Sequence, residues 1–463
     1  MRPPFSRALS VRLPRLPDVP FEAEAELDEA ALTLTVREGA TERRYRLRRG
    51  HHGDWLDMFE AMAADFGVRV PLNRRAYAAQ TPDCRLEPVL IDSSWPEILY
   101  GFGDPCVAYA EDERAWYLTA TSNDAPNAFP ILRSADLKHW DFASFAFPQG
   151  AKPAWAADGP GSDFWAPELH RIGEAWWLVF TARRPDGSLA IGLGVADRPA
   201  GPFTVADQPL LGGGVIDSHI FVDEAGVPFL VWKEDTNGVW PRLLAERLQK
   251  HPQLIGELFD APEDRRTAAM AAVLQPLIPQ LHEMEQFFTL QLLIEAAAQD
   301  LTRFEGRLQV AMGEAATPMS QALRTRIFAQ PISPDGRALT GDPRLILQND
   351  QPWEAHLIEG PWITRQAGRW YLFYAANDFS TAEYGLGVAI ADHPLGPWRK
   401  QAKPILRSGP EWVGPGHASV APGADGQPRL FLHAFYPGAL GYKAFRAVLA
   451  AEPVFEPGGV WLR

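Results

Sequence analysis

Ile358–Lys400 reads IEGPWITRQAGRWYLFYAANDFSTAEYGLGVAIADHPLGPWRK. The runs WYLFYAA and YGLGVAIAD are apolar, too short for helices, and bounded by Gly, Pro or Asn, which is the signature of short strands. Upstream, Glu174–Phe203 reads EAWWLVFTARRPDGSLAIGLGVADRPAGPF, with the same aromatic strand, the same GLGVA-type strand and the same Pro, Gly-Pro, aromatic exit. Two copies of a strand-only unit of this length predict a repeated supersecondary element of the propeller-blade kind.

Working outward, three further units share the pattern. Gly103–Phe142 holds GDPCVAYAEDERAWYLTATSND and FPILRSADLKHWDF, Val215–Gly238 holds VIDSHIFVDEAGVPFLVWKEDTNG, and Gly416–Gly438 holds GHASVAPGADGQPRLFLHAFYPG. The second unit begins at Trp165. Five units predict a mainly β fold, a five-bladed β-propeller over 99–463. A helical insertion at about 257–330 is expected between blades 3 and 4, where Leu281, Met284, Phe288, Leu292, Leu301, Phe304 and Leu308 recur at helical spacing. Its apolar stripe needs cover, and the expected choices are the propeller or a homo-oligomer contact. His282-Glu283-Met284-Glu285-Gln286 lacks the second histidine of a zinc-protease motif and reads as a solvated helix face.

Residues 1–98 are expected to form an N-terminal arm, to about residue 23, followed by a small hairpin-helix accessory unit. Ala31–Val36 alternates apolar and polar residues, and Trp55, Met58, Phe59, Met62 and Phe66 share one helix face, capped by Asp54 and ended by Gly67. His51 and His52 read as a solvated pair.

The chain has 463 residues and a formal charge of −14, which opposes a nucleic-acid groove or an anionic membrane surface and suits neutral substrates. No apolar run is long enough to span a bilayer. Two cysteines, Cys84 and Cys106, exclude a disulfide framework; Cys106 reads as a small core residue. With no secretory leader evident at the start, a cytoplasmic location is the expectation.

Three acidic residues sit at the heads of innermost strands: Asp104 in GFGDPCV, Asp217 in VIDSHIF and Glu359 in LIEGPWI. A propeller gathers those heads around one axis, so carboxylates far apart in sequence converge. Glycosidic hydrolysis needs such a set: one carboxylic acid for the leaving oxygen and one carboxylate for water. A third nearby raises the acid's pKa by like-charge repulsion. Singly, each is also ordinary turn chemistry.

The ordered set GDPCV, FWAPELH, VIDSHIFVDEAGVPFLVWKEDTNG, IEGPWI and GPGHASV resembles glycoside hydrolase family 43, over roughly 99–255 and 330–455. The resemblance implies Asp104 as general base, Glu359 as general acid and Asp217 as the residue that orients the base and tunes the acid. It further implies an inverting displacement. His417 matches a histidine that family members place near the axis, often beside calcium or water, although Ala418 stands where Asn is common; no other cofactor is implied. Trp165 is either a sugar-stacking platform or blade core. The implied enzyme is an α-L-arabinofuranosidase or β-xylosidase acting on oligo- or polysaccharides. The accessory segment and the insertion depart from the family plan, and either one walling the cleft would admit only terminal or side-branch sugars, so exo-action is expected. A related propeller glycosidase or phosphorylase on other sugars is the nearest alternative, and a phosphorylase would gather Arg, Lys or His around phosphate. A non-catalytic carbohydrate-binding propeller is the other, and it has no use for three carboxylates.

Overall fold

The structure is a computed structural model that describes residues 9–16, 19–79 and 84–463. The described residues divide into two compact units, one within 78–235 and 325–463, the other within 9–77 and 236–324.

The larger unit holds five four-stranded antiparallel sheets. Their innermost strands are Cys106–Ala110, Trp165–Ile172, Val215–Val222, Ile358–Gln366 and Val413–Pro422. Each of these neighbours the next, and the fifth returns to the first, so the sheets close into a five-bladed propeller. The blades pack face to face through large apolar side chains. Trp177, Val179 and Ile191 of the second meet Ile220, Leu230 and Trp232 of the third, and Val107, Trp116 and Leu118 of the first meet Phe431 and Val448 of the fifth. Because both faces of most strands are covered, Arg369–Ala376 and Gly385–Ala391 are buried almost end to end, and the sequence there is a continuous apolar run rather than an alternation.

Ring closure uses chain from both ends. Glu87–Leu90 pairs antiparallel with Ala447–Ala451 as the outermost strand of the fifth blade. It therefore belongs to the propeller and not to an accessory unit running to residue 98. Four residues carrying a proline gave this strand little signal of its own; its identity comes from a partner more than 350 residues away.

The helical segment also departs from the expected place. The third blade is Val215–Val222, Pro228–Glu234, Arg326–Pro331 and Arg344–Gln348. The helices run from Val239 to Ala322, so they leave from inside this blade, between its second and third strands. RIFAQP, at the tail of the expected insertion, is the third strand, with Phe229 opposite Pro331 and Lys233 opposite Ile327.

The smaller unit combines those helices with the N-terminal chain. Leu9–Arg12, Glu22–Leu27, Ala31–Glu38 and Thr41–Arg48 form a four-stranded meander, where the sequence suggested only a hairpin. Of the arm expected to about residue 23, residues 1–8, 17 and 18 lie outside the described residues; Leu9–Arg12 is a strand because it pairs with Glu24–Leu27. The helix His52–Phe66 is capped by His51, whose side chain accepts the Asp54 N–H, and ends on Gly67 at φ 66°. His52 is not solvated: it is 3% exposed, stacks on Phe288 and bonds Gln291 Oε1 at 2.7 Å. Glu285 is likewise buried, accepting from Gly50 N–H at 2.9 Å and pairing with Arg49 at 3.0 Å. Helix Glu283–Ala298 is covered on nearly every side, so its HEMEQ start is no solvated face.

Candidate active site

Four of the five innermost strands carry a register break near their start, and at the head of each the chain passes through a residue of positive φ. The residues are Asp104 (54°), Ala166 (43°), Asp217 (55°), Gly360 (56°) and His417 (51°). A bulge of this kind re-aims a side chain out of the strand's alternation, and non-glycine residues hold positive φ only where the surroundings impose it. Aligned on these positions, Asp104, Asp217 and His417 are equivalent. Glu359 is not: it lies one residue before its blade's bulge, at the place of Gly103 and Gly416. Of the three carboxylates, Asp104 and Asp217 thus sit at the positive-φ position of their blades and Glu359 sits one residue before it. Glycine fills the fourth bulge because a Cβ on Gly360 would lie 2.9 Å from the His417 ring.

Contacts then join all five heads. Asp217 Oδ2 accepts the Gly360 N–H at 2.9 Å, fixing the backbone beside Glu359. Glu359 accepts from the Tyr384 hydroxyl at 2.8 Å and is paired with Lys233 Nζ at 3.1 Å. Tyr384 stacks on His433, and His433 Nδ1 accepts the Asp104 N–H at 3.1 Å. Asp104 is held by Arg446 through both carboxylate oxygens, at 2.8 and 3.1 Å, by the Thr121 hydroxyl at 2.5 Å, and has His417 Nδ1 at 3.3 Å. Thr121 Oγ1 also accepts the Ala166 N–H at 2.8 Å, which ties the second blade in.

The electrostatics of the acids diverge. Burial pushes the Asp104 carboxyl up, and the attraction of Arg446, His417 and His433 with the Thr121 hydrogen bond outweighs it, so Asp104 lies well below the usual carboxylate range. Glu359 moves the other way: burial raises it, Lys233 opposes, and the charge of Asp217 raises it again. Asp217 is also raised, by burial and by Asp104, against His417 and Lys233. Two carboxyls of one pocket pushed in opposite directions are the arrangement that acid–base catalysis uses.

Trp165 stands at the rim of this cluster, partly buried, with its Nε1–H on Asn123 Oδ1 at 3.0 Å and the Arg183 guanidinium 5.6 Å from its ring. Its ring is fixed in orientation and partly exposed.

Sequence reasoning passed over Arg446, Lys233, Tyr384 and His433. A signal existed for two of them: Lys233 ends the apolar strand FLVWK and Arg446 heads AVLAA, and a cation in such a strand needs a buried partner. Gly103 carried another. A Cβ there would lie 1.8 Å from Arg446 Cζ, so the glycine of GFGDP leaves room for the guanidinium. Basic groups of the kind a phosphorylase would gather do lie at these acids, Arg446, His417 and His433 at Asp104 and Lys233 at Glu359, but Arg446 and Lys233 are each committed to a carboxylate.

Two candidate metal positions were tested on their donors. At His417, the Asp104 carboxylate has its Oδ1 3.3 Å from Nδ1 and is also held by Arg446 and Thr121, and Ala418 offers no oxygen in its side chain, so the six to eight oxygens of a calcium ion here would come largely from backbone and water. Glu168, His170 and His219 place ligand atoms within 4.8 Å of one another. However, the Ile363 N–H donates to His219 Nε2 at 2.9 Å, which puts the His219 proton on Nδ1, where Glu168 accepts it at 2.8 Å. Glu168 also bonds His170 at 2.7 Å. The trio is a closed hydrogen-bond cluster rather than a ligand set. Cys106 is buried against Leu169.

A family model described as Glycosyl hydrolases family 43 matches residues 98–269 and 313–460, well over half of the chain. The chain belongs to glycosyl hydrolase family 43. Among curated family relatives, xylosidase/arabinosidase 43A of Humicola insolens is 31% identical over 124 residues, 27% of this chain and 36% of that protein. The beta-xylosidase of Xylanibacter ruminicola is 34% identical over 79 residues, 15% of this chain and 24% of that protein. Each match thus spans well under half of the relative's length. Among solved structures, a thermostable family-43 glycoside hydrolase superposes with a TM-score of 0.54 at 25% identity, covering 78% of this chain and 93% of its own. An endo-1,4-beta-xylanase from Bacteroides thetaiotaomicron shares the fold, with a TM-score of 0.52 at 19% identity over 80% of this chain and 97% of its own.

Proposed function

We propose that this family 43 chain is an exo-acting glycosidase that removes β-D-xylosyl or α-L-arabinofuranosyl groups from oligosaccharides by direct displacement. The observation that carries the reading is the split environment of the carboxylates: Asp104 held ionised by Arg446, and Glu359 pushed toward its protonated form beside Asp217. The names of the two curated relatives favour these two sugars.

In the reaction, Glu359 gives its proton to the glycosidic oxygen as the C–O bond breaks. Asp104 accepts a proton from the water that attacks the opposite face of the sugar, and the product leaves with inverted configuration. Asp217 acts without touching the reacting bond: its charge keeps Glu359 protonated, and its hydrogen bond to Gly360 fixes the acid's backbone. Trp165 offers a flat face to the sugar.

The test is a panel of aryl β-D-xylosides and α-L-arabinofuranosides together with a linear xylan and a linear arabinan. Turnover of one aryl glycoside, release of monosaccharide alone from chain ends, and α-xylose as the first anomer from a β-xyloside are expected. Early mixed oligosaccharides would defeat the exo assignment, and first release of the β anomer would defeat direct displacement.

A further inference from the structure

We propose that Lys233 is a positioning residue for the general acid: it anchors the Glu359 carboxyl and stabilises the carboxylate left behind when the proton departs. The inference rests on the role given to Glu359 above.

Lys233 is 0% exposed, the fifth of seven residues in the strand Pro228–Glu234, and its Nζ lies 3.1 Å from Glu359 Oε2. A buried ammonium is strongly disfavoured unless it is paired, so this one reports a persistent negative charge beside it. Asp104 has Arg446 for its own partner. That leaves Asp217 and Glu359, both buried, sharing Lys233 as the ammonium between them. Burial alone pushes the Lys233 ammonium down, and the carboxyls around it, Glu359, Asp217 and Asp235, together raise it; while Glu359 holds its proton, the charges of Asp217 and Asp235 remain beside the ammonium.

With Asp217 ionised and Glu359 protonated, the trio is neutral. When the proton passes from Glu359 to the glycosidic oxygen, the trio carries one negative charge; without Lys233 it would carry two in a buried pocket. The lysine therefore acts on the step in which the leaving group is protonated. It also divides the acid's two oxygens: Lys233 takes Oε2, Tyr384 donates to Oε1, and rotation of the carboxyl is blocked. The charged and titratable groups that act on Glu359 and its lysine include Lys233, Asp217 and Asp235 from the third blade, Tyr384 and Asp378 from the fourth, His356 just before it, and His417 from the fifth.

The experiment is a carbon-13 carboxyl titration of glutamate-labelled full-length protein, with the Glu359 signal assigned by its loss in Glu359→Gln. Wild type, Lys233→Met and Lys233→Arg are compared, with Lys233→Gln in place of the methionine variant should that one not fold. An opposite charge at this distance is worth about one to three pH units. The Glu359 midpoint is expected to rise by about one unit or more in Lys233→Met and to return toward wild type in Lys233→Arg. On an aryl glycoside, the alkaline limb of kcat/KM is expected to move up by the same amount, with the loss of rate greatest for poor leaving groups. An unchanged or lowered midpoint overturns the assignment whatever the activity. A raised midpoint in a protein that cleaves no glycoside sustains the Lys233–Glu359 coupling and sinks the glycosidase reading instead.

Discussion

Both units of this protein bury charge, and they do so to different ends. At the propeller axis, Asp104, Asp217 and Glu359 come from three blades with two cations among them, and the pocket lowers the pKa of the first carboxyl and raises those of the other two. In the smaller unit, Arg69 is 2% exposed and bonds Asp264 at 2.8 Å, with Glu295 at 3.8 Å. Glu295 also takes the Leu72 N–H at 3.0 Å and an amide N–H of Gln291 at 3.0 Å. There each acid meets donors that satisfy it, and the network fastens the N-terminal chain to helices about 200 residues later. Both clusters hold one more carboxylate than cation; in the pocket the acids are pushed in opposite directions, whereas in the smaller unit backbone and side-chain amides complete the acids' partners and the network holds the fold together.

The largest effect that would sharpen this contrast is loss of the base. Asp104→Asn is expected to lower kcat/KM by about 10²–10⁴-fold, equally for good and poor leaving groups, with thermal stability kept within a few degrees; a loss confined to poor leaving groups would assign Asp104 to the acid's role instead. In the smaller unit, Arg69→Met leaves Asp264 and Glu295 buried without their cation. A cost of about 3–5 kcal/mol in denaturant unfolding is expected, with the pH profile of kcat/KM unmoved; a shifted profile would break the division between the regions.

Arg446→Met removes the cation that holds Asp104 ionised. The acidic limb of kcat/KM is expected to move to higher pH, because a base whose pKa rises is protonated over a wider range, and the rate at neutral pH to fall about ten- to a hundredfold. An unmoved acidic limb would show that the imidazoles alone suffice. The smallest effect concerns Asp378, 6% exposed, whose carboxyl burial raises to about 6. A carboxyl raised in the folded state binds a proton there that the unfolded chain, titrating near 3.9, has already lost. It therefore costs stability as pH rises from about 4 to 6 and beyond. Asp378→Asn is expected to stabilise the protein by roughly 1–3 kcal/mol at pH 7 and by almost nothing at pH 4; equal effects at both would rule out the titration.

The propeller was legible because its signal is local and repeated: each blade states its strands in apolar runs and its turns in Gly and Pro. The carboxylates were legible for the same reason, since a strand head has a known place in a blade. Their register was not. Glu359 looked equivalent to Asp104 and Asp217 until the bulges set it one residue earlier, and a bulge depends on what the neighbouring strands offer rather than on its own sequence. Arg446, Lys233 and His433 were passed over because an inward charge becomes meaningful only with its partner known. Glu87–Leu90 and Arg326–Pro331 are strands completed by distant chain, and His52 and Glu285 are polar residues whose burial is decided by helices far along the sequence. In each case the information lies in a pairing.

The account stands most directly on Glu359 as the proton donor. The deciding measurement compares wild type and Glu359→Ala on two aryl glycosides of the same sugar, one with a dinitrophenol leaving group that departs without protonation and one with a methylphenol that requires it. The account predicts that the variant loses little on the first and about 10²–10⁴-fold on the second. An equal loss on both would contradict it, and would move the proton donor elsewhere in the pocket.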